Sequence, residues 1–105
     1  MTPEGKIKAK VKKRLKDFPR IWPFMPVQNG MGKPGLDFLL CVPTAVSSRF
    51  VAIETKAPGK TMTERQEQTA SDIQSAGGKV YTVSDDESLD QAFRYIEAVY
   101  MSWEL

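Results

Sequence analysis

Apolar residues recur at Ile7, Val11, Leu15 and Phe18, the three- and four-residue spacing of one helical face. Ahead of them Thr2-Pro3-Glu4 supplies an N-cap, a proline at the first helical position and an acid at the positive end of the helix dipole, so a helix is expected from there. The period then changes. Gly35 to Val42 and Phe50 to Lys56 are short apolar, β-branched or aromatic runs bounded by Gly, Pro or Ser, and the turn-like Pro43 to Arg49 lies between them. Together they predict a β-hairpin. With its turn centred near Ala45 and Val46, residue 41 pairs with 50, 39 with 52 and 37 with 54, which sets Asp37 opposite Glu54. Lys56 falls on the same face, two residues beyond Glu54.

Between helix and hairpin, residues 19 to 35 carry four prolines and three glycines. Ile21 to Gln28 fits an edge strand broken by Pro23 and Pro26, because proline cannot donate to an interior ladder. Trp22, Phe24 and Met25 read there as packing residues, and Asn29 to Gly35 as a flexible loop. Beyond the hairpin, Thr63-Glu64-Arg65-Gln66 matches a capping box opening a helix to about Ala76, which Gly77-Gly78 ends. Lys79 to Val83 is a further strand, either associated with the hairpin or a parallel neighbour reached by the crossover helix. Ser88 is expected to cap a last helix with its apolar stripe at Leu89, Ala92, Phe93, Ile96, Val99 and Trp103. Tyr95, Tyr100 and Met101 lie off that stripe, as surface residues or part of a dimer contact. The order α-β-β-β-α-β-α describes one small α/β (α+β) domain over residues 1–105, a mixed sheet flanked by helices.

Composition narrows the chemistry. The chain has no histidine and one cysteine, Cys41, whose apolar neighbours suggest a reduced core thiol. A thiolate zinc site and an intrachain disulfide are excluded. Any metal must be held by oxygen ligands, which favours magnesium, manganese or calcium. No run of about 18 apolar residues and no signal-peptide pattern occurs, so a soluble, cytoplasmic protein is expected.

Charges interrupting the hairpin are its anomaly. Asp37, Glu54 and Lys56 stand in segments that otherwise look buried, where a charge needs a partner or a metal. Net charge is +2 overall, but residues 1 to 60 hold 12 basic residues against 4 acids, and residues 61 to 105 hold 3 against 9. A polyanion is the natural partner of the basic half, with the acidic half facing away. The lysines expected to meet phosphate are Lys8, Lys12, Lys13 and Lys16 on the first helix, with Lys33 and Lys60 in loops. Glu4 lies on the inward side of that helix, and reads either as a dipole-favouring acid or as a further carboxylate aimed at the hairpin. For Gln66 the cap alone is a sufficient explanation.

A helical Glu4, then Gly35-Leu36-Asp37-Phe38, then Val51 to Lys60, then Thr63 and Gln66, then Ala76-Gly77-Gly78 before a strand, resembles the VRR-NUC nucleases. These belong to the PD-(D/E)XK, or restriction-endonuclease-like, superfamily, and the likeness covers most of residues 2 to 84. Leu36 stands where the superfamily's name expects proline, at a position that shapes backbone and binds nothing. The resemblance implies a hydrolase of nucleic-acid phosphodiesters using Mg2+, with Mn2+ as a substitute. Asp37 and Glu54 would bind the metal, Thr55 would add its backbone carbonyl, and Lys56 would orient or deprotonate the attacking water. Glu4 and Gln66 fall on positions bordering the site, as a further ligand and catalytic neighbour. Small stand-alone members, which occur in phages, imply a homodimer acting on branched DNA such as Holliday junctions, in the host cytoplasm. Two other readings remain open at this point: a non-catalytic nucleic-acid-binding module, and a nuclease subunit of a larger replication or packaging complex.

Overall fold

The computed structural model describes residues 1–26 and 35–102. Helix α1 spans Pro3–Leu15, and the Thr2 hydroxyl accepts the Gly5 N–H at 3.0 Å, as the capping pattern requires. Strands β1 (Trp22–Phe24), β2 (Phe38–Pro43) and β3 (Ser48–Thr55) follow, then α2 (Glu64–Ser75), β4 (Lys79–Val83) and α3 (Asp86–Met101). This is the expected element order. The sheet runs β1-β2-β3-β4, antiparallel except for the β3 and β4 pair, so it is mixed. Of the two alternatives for Lys79 to Val83 the parallel one holds, because α2 carries the chain back across the sheet before β4 begins.

The hairpin register is the one the turn position implies, with Leu39 opposite Ala52 and Cys41 opposite Phe50. The Thr44 hydroxyl accepts from the Val46 and Ser47 amides, and the Thr44 N–H donates to the Ser47 carbonyl at 2.9 Å. That closed turn fixes the pairing of every residue down to the open end of the hairpin.

Strand alternation divides the molecule. Phe38, Leu40, Val42, Val51 and Ile53 point to one face, where they form the core with Ile7 and Val11 of α1 and Leu89, Ala92, Phe93 and Ile96 of α3. Leu15 and Phe18 pack on its margin, Phe18 just beyond the helix end. Their alternates face the other way. Cys41 is therefore exposed and not a core thiol, and Trp22 and Phe24, expected to pack inside, stack on each other in the open at 6.0 Å. Pro23 sits between them opposite Leu40, so the edge strand turns its two aromatic rings outward. The edge strand is confined to Trp22–Phe24; Val27, Gln28 and the Asn29 to Pro34 part of the expected loop lie outside the described residues, as does Trp103.

Helix ends follow local chemistry. In α2 the Gly77 N–H reaches the Gln74 carbonyl and the Gly78 N–H the Ile73 carbonyl, a Schellman closure in which Gly77 takes φ +96°. A Cβ on Gly78 would lie 2.5 Å from Ile73 Cγ2, so both glycines are required. Asp85, not Ser88, caps α3: Ser88 is its reciprocal partner three residues on, returning its hydroxyl to the Asp85 amide. Tyr100, expected to lie off the core stripe, belongs to it. It is buried, edge-on to Phe18 at 5.1 Å, with its hydroxyl accepting from Arg20, because the core stripe of α3 is wide enough to take Phe93, Ile96 and Tyr100 together. Tyr95 is half-buried near Tyr81, and Met101 is exposed. No helix among the described residues is long and apolar enough to cross a membrane.

Candidate active site

At the open end of the hairpin, just before β2 and at the end of β3, the charged residues meet. The Asp37 amide donates to Glu54 Oε1 at 3.2 Å. Asp37 Oδ2 accepts from the Thr55 hydroxyl at 2.6 Å and from the Thr55 N–H at 2.9 Å. Glu54 Oε2 accepts from Gln66 Nε2 at 2.8 Å and lies 3.6 Å from Lys56 Nζ. Side-chain exposure is 4% for Glu54, 11% for Asp37 and 12% for Lys56, so these charges are largely removed from water. Burial first, and then the adjoining Asp37 charge, push the Glu54 carboxyl up to about 7, against the opposing pull of Lys56 and the Asp37 amide.

Gln66 serves two positions at once. Its Oε1 accepts the Thr63 N–H, closing the capping box of α2, while its amide nitrogen holds Glu54. One side chain couples the helix start to the carboxylate. The sequence suggests these uses as alternatives; the planar amide, an acceptor on one side and a donor on the other, performs both.

Glu4 reaches the cluster indirectly. Its carboxylate lies 3.7 Å from Lys8 Nζ, which in turn lies 3.5 Å from Asp37 Oδ1. Lys8, expected only to meet phosphate, is thus seated among the carboxylates; the four-residue spacing accounts for its contact with Glu4, but only the fold brings it to Asp37. Thr55 is a second surprise, since its hydroxyl as well as its backbone is directed at the site. Its burial appears only in the fold, so the sequence carries no signal for the hydroxyl's role.

The remaining lysines separate. Lys12 and Lys16 continue from Lys8 along one flank of α1, whereas Lys13 borders a recess with Lys10, Arg14 and Asp17 on the other side. Lys10 and Arg14 are paired with Asp86 and Asp90 of α3 at 2.7 and 2.9 Å. Part of the acidic half therefore neutralises the basic helix instead of facing away from it. Lys60 is exposed in the turn after β3, and Lys33 lies outside the described residues.

The donor chemistry suits a hard divalent cation: two adjoining carboxylates, no imidazole in the chain, and a buried Glu54 whose ionised form is short of positive charge. Among the described residues no three acidic or thiol side chains gather as one ligand group. Asp37 and Glu54 are thus the side-chain donors at hand, with Glu4 set behind Lys8.

No family model matches the sequence, and no curated protein matches it. The fold does have a counterpart: a solved structure described as a VRR_NUC domain superposes with a TM-score of 0.72 at 18% identity, over 90% of this chain and 98% of that one. Among the described residues, three helices and a four-stranded mixed sheet give the chain the VRR-NUC, restriction-endonuclease-like fold.

Proposed function

We propose that the chain is a metal-dependent nuclease that hydrolyses DNA phosphodiesters, using Mg2+ or Mn2+. One observation carries this reading: Asp37, Glu54 and Lys56 are drawn together at the hairpin end in largely buried positions, where adjoining carboxylates cost stability, so that their presence there points to a use. The VRR-NUC fold supports it independently.

A bound divalent ion supplies charge neutralisation at a non-bridging phosphate oxygen and a more acidic water. Asp37 and Glu54 would hold it through their carboxylates, with the Thr55 backbone carbonyl as a further donor. The Thr55 hydroxyl and the Gln66 amide hold the two carboxylates in fixed rotamers, which lowers the cost of ordering them for each turnover. Lys56, kept against Glu54, orients the attacking water, takes its proton or offsets charge on the phosphorane-like transition state. Lys8 and Glu4 set the charge balance at the rim.

The substrate is branched DNA, with a Holliday junction as the reference case, and the working unit is a homodimer. One site cuts one strand, so paired incisions at a junction need two. The test is incubation of the purified chain with labelled four-way junction, splayed, flap, linear duplex and single-stranded DNA, each with Mg2+, Mn2+ or chelator. Metal-dependent products, strongest on branched forms, support the reading. Salt-sensitive binding with no product under any metal would instead indicate a non-catalytic binding module.

A further inference from the structure

The clustered lysines of α1 do not form a uniform basic face. Lys10 and Arg14 are taken up by α3, while Lys8, Lys12 and Lys16 follow one another at four-residue intervals along the opposite flank. Each interval is about 6 Å along the helix axis, so the three side chains leave the backbone along a row about 12 Å long, with Lys8 at the site end and Lys16 at the helix C-cap. Lys12 and Lys16 have no acidic partner among the described residues.

This row overlooks a groove. Next to the candidate active site, a recess of about 250 Å³ is bounded by Asp37, Lys8, Lys12 and Met25. It shares Lys12 and Met25 with a neighbouring groove of about 440 Å³, which Lys12 and Lys16 line together with the apolar Leu15, Phe18, Pro23 and Met25. A cationic wall beside an apolar floor is poorly matched to duplex DNA, which presents only sugar and phosphate to a surface this narrow. An unpaired strand matches both parts, because its phosphates can follow the lysines while its bases turn onto apolar side chains.

We infer that the groove between α1 and β1 is a track for single-stranded nucleic acid leading to the Asp37 and Glu54 site, so that among branched substrates a splayed or flapped form with an unpaired arm is cut in preference to the fully paired four-way junction. The inference deepens the nuclease reading and rests on it for the direction of travel. Its binding component does not, because an unpaired strand can occupy the groove whether or not the chain cuts.

Anisotropy of an end-labelled oligothymidylate, and of a duplex of equal length, is therefore measured in chelator with the wild-type chain, a Lys12→Gln/Lys16→Gln variant and Met25→Ser. Single-strand binding tighter than duplex binding is expected, falling at least about tenfold in the double-lysine variant, with a salt slope shallower by about 1.4 for two lost phosphate contacts. Met25→Ser, at an exposed position and without change of charge, should weaken single-strand binding several-fold and leave duplex binding nearly unchanged. Equal affinity for both forms, or single-strand binding indifferent to the three substitutions, overturns the track. The same variants incubated with labelled splayed and four-way-junction DNA and Mg2+ separate the two ideas: cleavage without groove-dependent binding leaves the nuclease and removes the track, and groove-dependent binding without cleavage of either branched form does the reverse. Circular dichroism of each variant verifies that the fold is intact.

Discussion

Lys8 Nζ lies 3.5 Å from Asp37 Oδ1, on the side of that carboxylate not already claimed by Thr55. An ammonium on a proposed metal ligand competes with the metal. Lys8→Gln should therefore tighten Mg2+ binding about two- to fivefold, the scale of a partly exposed ion pair. Calorimetric titration without DNA measures this directly. Unchanged or weaker Mg2+ affinity would mean that Lys8 is not the counter-ion that the geometry describes.

Gln66 offers a way to separate a helix cap from a site contact. Gln66→Ala loses both, with destabilisation of about 1 kcal/mol from the cap. Gln66→Glu can retain the cap, since a carboxylate also accepts the Thr63 N–H, yet it sets a like charge against Glu54. The expected pattern is near-wild-type thermal stability at low pH and a cleavage rate reduced about tenfold or more, the scale of a lost charge-assisted hydrogen bond. A fully active Gln66→Glu would assign the residue to the cap alone.

Glu54 gives the metal-free protein a particular pH dependence. Its carboxyl is raised from 4.5 to about 7, so between those values the folded chain binds more protons than the unfolded chain and stability falls as pH rises. The loss is on the order of 3 kcal/mol, complete somewhat above pH 7, and absent below the unfolded value. Chemical denaturation in chelator at a series of pH values should show this decline, and Glu54→Gln should remove it. Saturating Mg2+ should flatten it too, by favouring the ionised form.

Much of this was legible in the chain. The hairpin register followed from the turn, since alternation leaves one pairing that buries Phe38, Leu40, Val51 and Ile53 together, and that pairing carries Asp37 to Glu54. Contacts between elements distant in sequence were not legible. Nothing in the lysine run distinguishes Lys8, drawn to Asp37, from Lys10, drawn to Asp86 on a helix 76 residues away. Cys41 and Trp22 look like core residues because their neighbours are apolar, but a sheet only partly covered on one face leaves such residues in the open. Exposure there depends on where α2 lies, which local pattern does not encode.

The most direct test of the central claim compares DNA cleavage under Mg2+ by the wild-type chain with that by Asp37→Asn, Glu54→Gln and Lys56→Ala, alongside DNA binding by each. Cleavage by the wild type is expected, with rates in the variants lower by about a hundredfold or more, the scale for a group acting in the chemical step, and with binding retained. Undiminished cleavage by all three correctly folded variants would contradict that claim.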